Sequence, residues 1–400
     1  MAPAPVPPAP ELWLGVAAVA GGHLAVDVCM GIWPVHKVLA GLDLPTAGWI
    51  ATFATVAGNG LQLGFGALAD RGWRRALIAL GVAGAGVVCF LPYASRAPEL
   101  LGLMLVASAG SAAFHPAGGG YAGGASTRRA GLAVALFLVG GYLGFAVSQL
   151  AYAAAFRALE GRLAPLYLLP LALGLAFALV RGRPASAGAV RAPEAERTLA
   201  WGRVAALFAI QGLSAAAGMT VMFLLPEIFG ARGAPPLLAQ GGAHCLMILA
   251  ACAALLPAGA AHDRFGARAV LFSANLLSAV ALEALALGAV RSSGGVLLLV
   301  LVFGAANAAN TVVALAEGTR LLARRRSTIA ALLTGAPWFI AAPAPAIAAL
   351  LADTGRGGTP ELALAWTGLC LPVACGVALL LPRQGRPDGG PDHAVGSAGG

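Results

Sequence analysis

The feature that most constrains this chain is a series of apolar runs, each about as long as a lipid bilayer is thick. Runs of nearly uncharged residues follow one another through most of the sequence and are separated by short segments rich in arginine and glycine. A helix needs about 20 apolar residues to cross the hydrocarbon layer. Hydrophobic residues make up 59% of the chain and charged residues only 10%, which is far from the composition of soluble domains. The sequence therefore predicts an all-α integral membrane protein.

We predict twelve transmembrane helices from these runs. The predicted spans are 12–35, 46–69, 75–94, 99–124, 130–156, 163–181, 203–229, 236–261, 268–290, 295–322, 327–351 and 361–382. We expect a disordered cytoplasmic N-terminus over 1–11 and a disordered cytoplasmic C-terminus over 383–400. The longest polar interruption, 182–202, is predicted to be a cytoplasmic linker between an N-terminal bundle, 12–181, and a C-terminal bundle, 203–382.

The positive charges give an independent prediction of topology, because Lys and Arg accumulate in the short cytoplasmic loops of membrane proteins. If the chain starts inside, most of its basic residues lie on the cytoplasmic side. The other side keeps only Lys37, Arg96, Arg157, Arg162, Arg232, Arg291 and Arg356. Both termini are then cytoplasmic, and the chain is a multi-pass protein of the inner (plasma) membrane. The net charge of +9 is spread over loops and forms no single patch, which argues against nucleic-acid binding.

The two halves of the sequence repeat each other. The segment "GALADRGWRRALIALG" at 66–81 closes the second span, and "GAAHDRFGARAVLFSAN" at 259–275 closes the eighth. A similar spacing relates Pro34 to Pro226 and Arg128 to Arg324. The repeat predicts two pseudo-symmetric six-helix bundles with the same orientation in the membrane.

The motif formed by Gly66, Leu68, Ala69, Asp70, Arg71, Arg74 and Arg75, with its second copy at Asp263, Arg264, Gly266 and Arg268, resembles the loop motif of the major facilitator superfamily. More narrowly, "GHLAVDVCMGIWP", "GSAAFHP" and "GLAVALFLVGGYLG" resemble the fosmidomycin resistance branch of exporters. That branch commonly has an acid where this chain has Ala117, and a Gly-Pro where it has Ser148 and Gln149. The Gly-Pro is part of what marks drug/proton antiporters, so its loss bears on the direction and coupling of transport.

His23 and Asp27 in the first span are predicted to couple transport to protons. They are four residues apart, which places them on one face of a helix near the middle of the bilayer. A carboxylate at the bilayer centre costs about 2.5 to 3.5 kcal/mol on insertion scales and normally faces a cavity or a partner. The alternative interpretation is a neutral His bonded to Asp as a structural contact.

Polar residues within the other spans are predicted to line a substrate site. His115 lies in mid-span before Pro116, which removes a backbone donor and tends to kink the helix. The other candidates for substrate binding are Gln62, Tyr142, Gln149, Gln211, His244, Asn307 and Asn310, with Asn59 beside them. Each of these can equally bond a neighbouring helix as a purely structural contact.

The arginine-rich loops are predicted to gate the transporter. In the superfamily that the motif resembles, the acid at the position of Asp70 latches the two bundles on the cytoplasmic side, and its candidate partners here are Arg129 and the start of the eleventh span near Ser327. Glu317 resembles an acid at the inner end of the tenth span, three residues before Arg320. The complete set of gating candidates is Asp70, Arg71, Arg74, Arg75, Arg129, Asp263, Arg264, Arg268, Glu317 and Arg320.

Three functions are compatible with these features. The first is a proton-driven exporter of a small organic compound or drug that works as a monomer by alternating access. The second is an importer or facilitator of a small metabolite on the same fold, and the third is a transporter-like membrane sensor. Neither HExxH nor GxSxG occurs, so we expect no enzyme, and we expect no cofactor. The six cysteines lack metal-ligand spacing, so no metal site is predicted, and the expected partners are a small molecule, protons and membrane lipid.

Overall fold

The regular structure of this chain is helical throughout the part that the computed structural model describes, residues 10–124, 130–179, 197–321, 332–333 and 335–383. No strand occurs in these ranges. Helices pair their backbone N–H and C=O groups within the segment except at the ends, which suits a chain that crosses hydrocarbon. The expected linker and termini lie largely outside the described residues. α1 begins at Pro10 and α8 at Arg197, both earlier than the predicted bundles begin.

The helices follow one another with short connections. In chain order they are α1 (Pro10–Met30), α2 (Trp33–Leu39), α3 (Leu44–Leu68), α4 (Arg74–Ala85), α5 (Ala97–Gly124), α6 (Ala130–Ala158), α7 (Leu168–Leu179), α8 (Arg197–Gly230), α9 (Ala243–Ala286), α10 (Ser293–Leu321), α11 (Ala336–Ala341), α12 (Ala344–Ala352), α13 (Pro360–Gly368) and α14 (Cys370–Ala378). Three 3₁₀ segments lie at Gly86–Tyr93, Ala164–Tyr167 and Thr354–Arg356, and π-helical turns at Ala69–Trp73 and Leu238–Gly242.

Eight helical stretches in the described residues are long and apolar enough to cross a membrane. They are Trp13–Leu39, Arg71–Tyr93, Ala97–Ala122, Leu136–Ala158, Trp201–Gly230, Leu238–Ala286, Ser293–Gly318 and Pro360–Ala378. Together they overlap the predicted spans other than the second, sixth and eleventh. The sixth and eleventh correspond to shorter apolar stretches, Ala164–Leu179 and Ala336–Ala352, and the second corresponds to α3. The eighth and ninth lie in one stretch, so the count of twelve crossings stays a prediction.

Both copies of the repeated loop contain a glycine with a backbone conformation that other residues rarely adopt. Gly72 lies within the π-helical turn after α3 with φ of 99°, and Gly266 interrupts α9 with φ of 80°. A side chain with a Cβ is strained at such positive φ values, whereas glycine is not. The glycines of the repeat thus allow the chain to leave one helical segment and enter the next at equivalent points of the two halves.

Most helix packing joins helices of the same half. In the N-terminal half α1 packs on α5 and α6, and α4 packs on α5 and α7. In the C-terminal half α10 packs on α8 and α9, and α14 packs on the same two helices. Many large apolar side chains stay exposed on the outside of this assembly, as expected for a surface that faces hydrocarbon. Examples are Leu14, Leu179, Leu256, Leu287 and Leu380.

A row of small residues lets α6 approach α1 closely. A Cβ added at Gly140 would collide with the carbonyl oxygen of Ala20, and one at Gly144 with that of Leu24. Glycines spaced four residues apart form one face of a helix and allow two backbones to pack directly together within a membrane. The sequence "GGYLG" therefore fixes the distance between α1 and α6.

The two halves meet near one end of the helices. α3 packs on α12, where the main-chain N–H of Ala346 donates to Thr52 Oγ1 at 3.3 Å, and a Cβ at Gly48 would lie against Ala349. α6 also packs on α9, and α2 on α8. In the predicted topology this end is the outer side of the membrane. The described contacts therefore join the halves at the end that carries α2.

Candidate functional site

Three titratable side chains from two helices converge inside the N-terminal half. His23 and Asp27 lie one turn apart on α1, and their Nε2 and Oδ2 atoms are 3.3 Å apart. His115, on α5, places its own Nε2 atom 3.2 Å from His23 Nε2 and 3.4 Å from Asp27 Oδ1. The sequence predicted the His23–Asp27 pair and treated His115 as a separate substrate contact. The structure unites all three in what we call the His–Asp–His cluster.

Backbone carbonyls determine which nitrogen of each imidazole carries a proton. His23 Nδ1 is 2.7 Å from the carbonyl oxygen of Phe137, and His115 Nδ1 is 2.8 Å from that of Ser111. A carbonyl oxygen only accepts hydrogen bonds, so each Nδ1 must donate. In the neutral form both Nε2 atoms then carry lone pairs, and these lone pairs point at each other and at the carboxylate of Asp27.

The walls of the cluster hold these groups in place. The ring of His23 stacks on Phe137, with centroids 4.0 Å apart, and His23 is only 5% exposed. Gly141 of α6 lies against the other side, where an added Cβ would collide with the imidazole of His23 and lie 2.8 Å from Asp27 Oδ2. The main chain of α6 at Gly141 therefore packs directly against His23 and Asp27.

This arrangement is incomplete without a cation. Two imidazole lone pairs and a carboxylate within 3.4 Å of one another repel unless a proton or another positive charge lies among them. A proton on either Nε2 gives that imidazole a positive charge and an N–H that can donate to the carboxylate of Asp27 or to the other Nε2. The chemistry that the cluster supports is therefore the reversible binding of a small cation.

The predicted polar residues of the C-terminal half form a different kind of cluster. Asn275 donates through Nδ2 to Asn310 Oδ1 at 2.7 Å, and it accepts from Ser214 Oγ at 2.8 Å. Asn310 is 1% exposed and Asn275 is fully buried. Gln211 donates to Thr311 Oγ1 and to the carbonyl of Leu333, both at 3.2 Å. These partners match the alternative interpretation of interhelical contacts for Asn310 and Gln211.

Other predicted lining residues are half-buried and stay candidates for substrate binding. Asn307 accepts from Asn310 at 3.4 Å, and Gln62 donates to Asn59 at the same distance within α3. Tyr142 follows Gly141 on α6 and is half-buried. None of these three joins the His–Asp–His cluster through a described hydrogen bond, so their role in binding stays a prediction.

Gln149 and His244 lie where α6 meets the C-terminal half. His244 donates from Nε2 to the carbonyl of Phe145 at 2.8 Å, which joins the two halves. Gln149 is 1% exposed, and its amide has no hydrogen-bond partner among the described residues. A Cβ added at Gly241 would lie 2.8 Å from the Cβ of Gln149. Gly241, with φ of 130°, thus permits the close approach. Both side chains belong to the contact between halves.

The gating candidates of the first loop surround a cavity of about 480 Å³. Arg71, Arg74 and Arg75 line it together with Tyr121 of α5 and apolar residues of α1 and α7. Arg129 and the side chain of Asp70 lie outside the part of the chain that the structure describes. The predicted latch at Asp70 therefore stays a prediction.

Near the second loop, Glu317 lies beside His262, a histidine that was not predicted to be functional. His262, 2% exposed, places Nε2 3.4 Å from Glu317 of α10 and Nδ1 3.6 Å from the exposed Asp263. Arg264 lies over the ring of Phe265 at 5.2 Å, and Arg268 donates to the carbonyl of Leu381 at 3.3 Å. The side chain of Arg320, the expected partner of Glu317, lies outside the described residues.

An ion pair between the halves was also not predicted from the sequence. Lys37 at the end of α2 is 1% exposed and donates to Glu227 of α8, and its ammonium lies 4.3 Å from the ring centre of Phe223. The repeat contained a partial signal for this pair, because Lys37 lies three residues after Pro34 and Glu227 lies one residue after the equivalent Pro226. Opposite charges near corresponding prolines of the two halves are compatible with a contact between the halves.

Several solved structures with a similar architecture are of transporters. A bacterial homolog of the human lysosomal transporter Spinster, in an inward-facing and unoccupied conformation, is similar with a TM-score of 0.74 and 12% identity, over 92% of this chain and 96% of that one. The nucleoside transporter NupG gives 0.70 and 13%, over 92% and 99%, and a D-xylose-proton symporter gives 0.68 and 15%, over 92% and 98%. No family model and no curated protein sequence matches the chain.

At this level of identity the likeness concerns architecture alone. It agrees with the doubled loop motif, the two sets of packed helices and the all-helical structure of the described residues. We conclude that the chain has the fold of the major facilitator transporters.

Proposed function

We propose that this protein is a secondary active transporter that exports a small organic compound in exchange for protons. The observation that carries the proposal is the His–Asp–His cluster, because it places three groups that need a cation inside helices long and apolar enough to span the membrane. A site of this kind has to gain and lose its cation as the protein works. That exchange is what coupling to a proton gradient requires.

Alternating access supplies the second element of the mechanism. Two polar contacts between the halves lie at the end that carries Lys37, where Lys37 donates to Glu227 and His244 donates to the carbonyl of Phe145. These contacts break if the halves rock about the middle of the membrane, and the opposite ends then close. In our proposal this rocking exposes the cluster to one side of the membrane and then to the other.

The finer assignments follow the sequence. We propose that the protein belongs to the major facilitator superfamily near its fosmidomycin resistance branch, lies in the inner (plasma) membrane with both termini cytoplasmic, and works as a monomer. Asp27 and His23 would bind the proton, and His115 would link that proton to the bound compound. Asp70 and Glu317 would take part in closing the cytoplasmic side.

An importer on the same fold is the second candidate. Ser148 and Gln149 stand where drug/proton antiporters have a Gly-Pro, and Gln149 lies in the contact between halves with an unpartnered amide. Without the proline this part of α6 keeps its backbone N–H donor and has no proline-induced kink. The D-xylose-proton symporter is a structural neighbour, so the fold accommodates uptake as well.

The test uses proteoliposomes with an imposed pH gradient, in which substrate movement and internal pH are followed together. We expect Asp27→Asn to abolish uphill transport and leave downhill exchange, because the amide keeps the shape of the carboxyl group but cannot change charge. We expect His115→Ala to weaken substrate affinity and leave proton movement measurable. Candidate substrates come from a screen for compounds that raise the unfolding temperature of the purified protein.

The direction of substrate movement relative to that of protons separates the two candidates. Opposite directions support the exporter, and equal directions support the importer. Uphill transport by the Asp27→Asn variant at the wild-type rate would contradict the coupling role of the cluster. The control is Ser214→Ala, since Ser214 lies in the buried amide cluster of the other half.

A further inference from the structure

The donor atoms of the His–Asp–His cluster have the arrangement of a metal site. Each residue offers one ligand atom, and these atoms all lie within 4.8 Å of one another. We propose that His23, Asp27 and His115 bind a divalent transition-metal ion of the Zn²⁺ type through His23 Nε2, His115 Nε2 and the carboxylate of Asp27. This goes beyond proton coupling, because it assigns the cluster a second, chemically different ligand.

The distances between the ligand atoms fit a tetrahedral ion. Zinc binds imidazole nitrogen and carboxylate oxygen at about 2.0 to 2.2 Å, so two ligands of a tetrahedral site lie about 3.3 to 3.6 Å apart. In the cluster the two Nε2 atoms are 3.2 Å apart, and the carboxylate of Asp27 faces each of them with a different oxygen, Oδ2 at 3.3 Å from His23 Nε2 and Oδ1 at 3.4 Å from His115 Nε2. A single ligand oxygen of Asp27 lies within 4.8 Å of both nitrogens, so the carboxylate has to rotate slightly to bring one oxygen to the tetrahedral spacing from both. An ion can enter with only small movements of the side chains.

The hydrogen bonds behind the ligands are those that metal-binding histidines make. A histidine that coordinates a metal through one nitrogen nearly always donates its other N–H to a carbonyl, a carboxylate or water. Here Phe137 and Ser111 supply those carbonyls at 2.7 and 2.8 Å. Both rings are thus held with Nε2 as the free electron-pair donor, which is the tautomer that a metal needs.

The types of ligand select the class of ion. Imidazole nitrogen is preferred by Zn²⁺, Co²⁺, Ni²⁺ and Cu²⁺, whereas Mg²⁺ and Ca²⁺ prefer oxygen ligands only. Two neutral imidazoles and one carboxylate carry a single negative charge, so a divalent ion leaves a net charge of +1. This is a smaller cost in a low-dielectric interior than an ion with no counter-charge.

One side of the cluster is open for a fourth ligand. The side chain of His115 is 30% exposed and that of Asp27 is 17% exposed, whereas that of His23 is 6% exposed. Phe137 and Gly141 close the side of His23. A three-ligand site with one open position leaves that position for water or for a donor atom of another molecule. In this site the fourth position lies toward His115.

The direct test is the visible absorption of Co²⁺, titrated into the purified full-length protein in detergent. Tetrahedral Co²⁺ absorbs much more strongly than the six-coordinate aqueous ion, so binding at this site gives a new band that saturates at one ion per chain. Zn²⁺ should then bleach the band by competition. Mutation of a residue that merely hydrogen-bonds a metal ligand typically lowers metal affinity about 10- to 100-fold. We expect His23→Ala, His115→Ala and Asp27→Asn, which change a ligand itself, each to lower the Co²⁺ affinity by at least this factor.

The matched control is His262→Gln. His262 is also a buried histidine beside a carboxylate, since it lies 3.4 Å from Glu317, but it is not part of the three-ligand group. We expect its Co²⁺ band to equal that of the wild type. The unfolding temperature of every variant is measured without metal, and Asp27→Asn and His115→Gln serve as conservative variants that keep the size of the side chain.

The proposal is overturned if wild-type protein gives no tetrahedral Co²⁺ band, or if folded variants of the three ligands bind Co²⁺ as tightly as wild type does. The titration needs neither a pH gradient nor a substrate. Its failure therefore leaves the proposal of proton coupling intact, and failure of coupling in metal-free proteoliposomes leaves the metal proposal intact.

Discussion

The two halves of the molecule share a fold and a repeated loop, yet their buried polar clusters differ in kind. The N-terminal cluster brings together His23, Asp27 and His115, whose side chains all titrate. The C-terminal cluster brings together Asn275, Asn310 and Ser214, in which described hydrogen bonds of 2.7 and 2.8 Å join neutral groups. The duplicated scaffold thus holds polar groups in both bundles, but of these two clusters only the first contains side chains that can change their charge.

The largest expected effect comes from placing a charge in the neutral cluster. Asn275→Asp puts a carboxylate in a fully buried position with only neutral partners, Ser214 and Asn310. An unpaired buried charge is costly, so we expect a loss of about 3 kcal/mol or more in the free energy of unfolding. The measurement is the thermal unfolding of the purified variant compared with that of Asp27→Asn, which removes a charge and should unfold near the wild-type temperature.

The comparison fails if Asn275→Asp unfolds at the same temperature as the wild type. That result would mean that the C-terminal cluster can also take a cation, and that the two halves are functionally alike.

A smaller loss of stability is expected at the ion pair that joins the two halves. Lys37→Met leaves Glu227 without the ammonium that donates to it. Removal of one partner of a fully buried ion pair costs about 3 to 5 kcal/mol, and because the Glu227 side chain is 19% exposed we expect a loss below that range. We expect the contact between halves to open more often. One cysteine is introduced in α2 and another in α8, and the rate at which a thiol reagent labels them, or at which a disulfide between them is reduced, measures this opening. The double variant Lys37→Met with Glu227→Leu should recover much of the contact, because both charges are then gone.

Unchanged labelling in the single variant would show that this ion pair does not hold the halves together. The adjacent pair of Arg232 and Glu361, 3.0 Å apart within the C-terminal half, supplies the control, since its loss should leave the contact between halves unaffected.

The smallest effect sharpens the contrast between stability and coupling. Ser214→Ala removes one neutral hydrogen bond to Asn275, which contributes about 1 kcal/mol. We expect a small drop in the unfolding temperature and wild-type coupling in the pH-gradient assay. Loss of coupling in this variant, with the fold intact, would place the C-terminal cluster in the transport cycle and contradict its structural role.

Local spacing made part of this structure predictable from the sequence. The apolar runs indicated most of the helices, and the four-residue separation of His23 and Asp27 placed the two side chains on one face of α1, as the 3.3 Å distance confirms. The doubled loop motif indicated two equivalent breaks, and these occur at Gly72 and Gly266. Such features depend on residues within a few turns of each other.

Contacts between distant helices could not be derived in the same way. That His115 joins the pair on α1 depends on how far α5 slides along α1, and one turn of difference would separate them. Glu317 of α10 lies beside His262 of α9, and this contact also depends on how far one helix is shifted along the other. The pairing of Lys37 with Glu227 depends on the relative position of the two halves. The spacing of residues along the sequence does not determine how distant helices are positioned relative to one another.

The absence of a side chain at Gly141 has a consequence for how the proposed cation site can vary. One wall of the His–Asp–His cluster is main chain, and any side chain at this position would displace His23 or Asp27. A substitution of Gly141 therefore disturbs the two residues of α1 before it changes the shape of this wall. If the cluster binds an ion as we propose, α5, where His115 and Ser111 lie, offers a wall that substitutions can adjust without this clash.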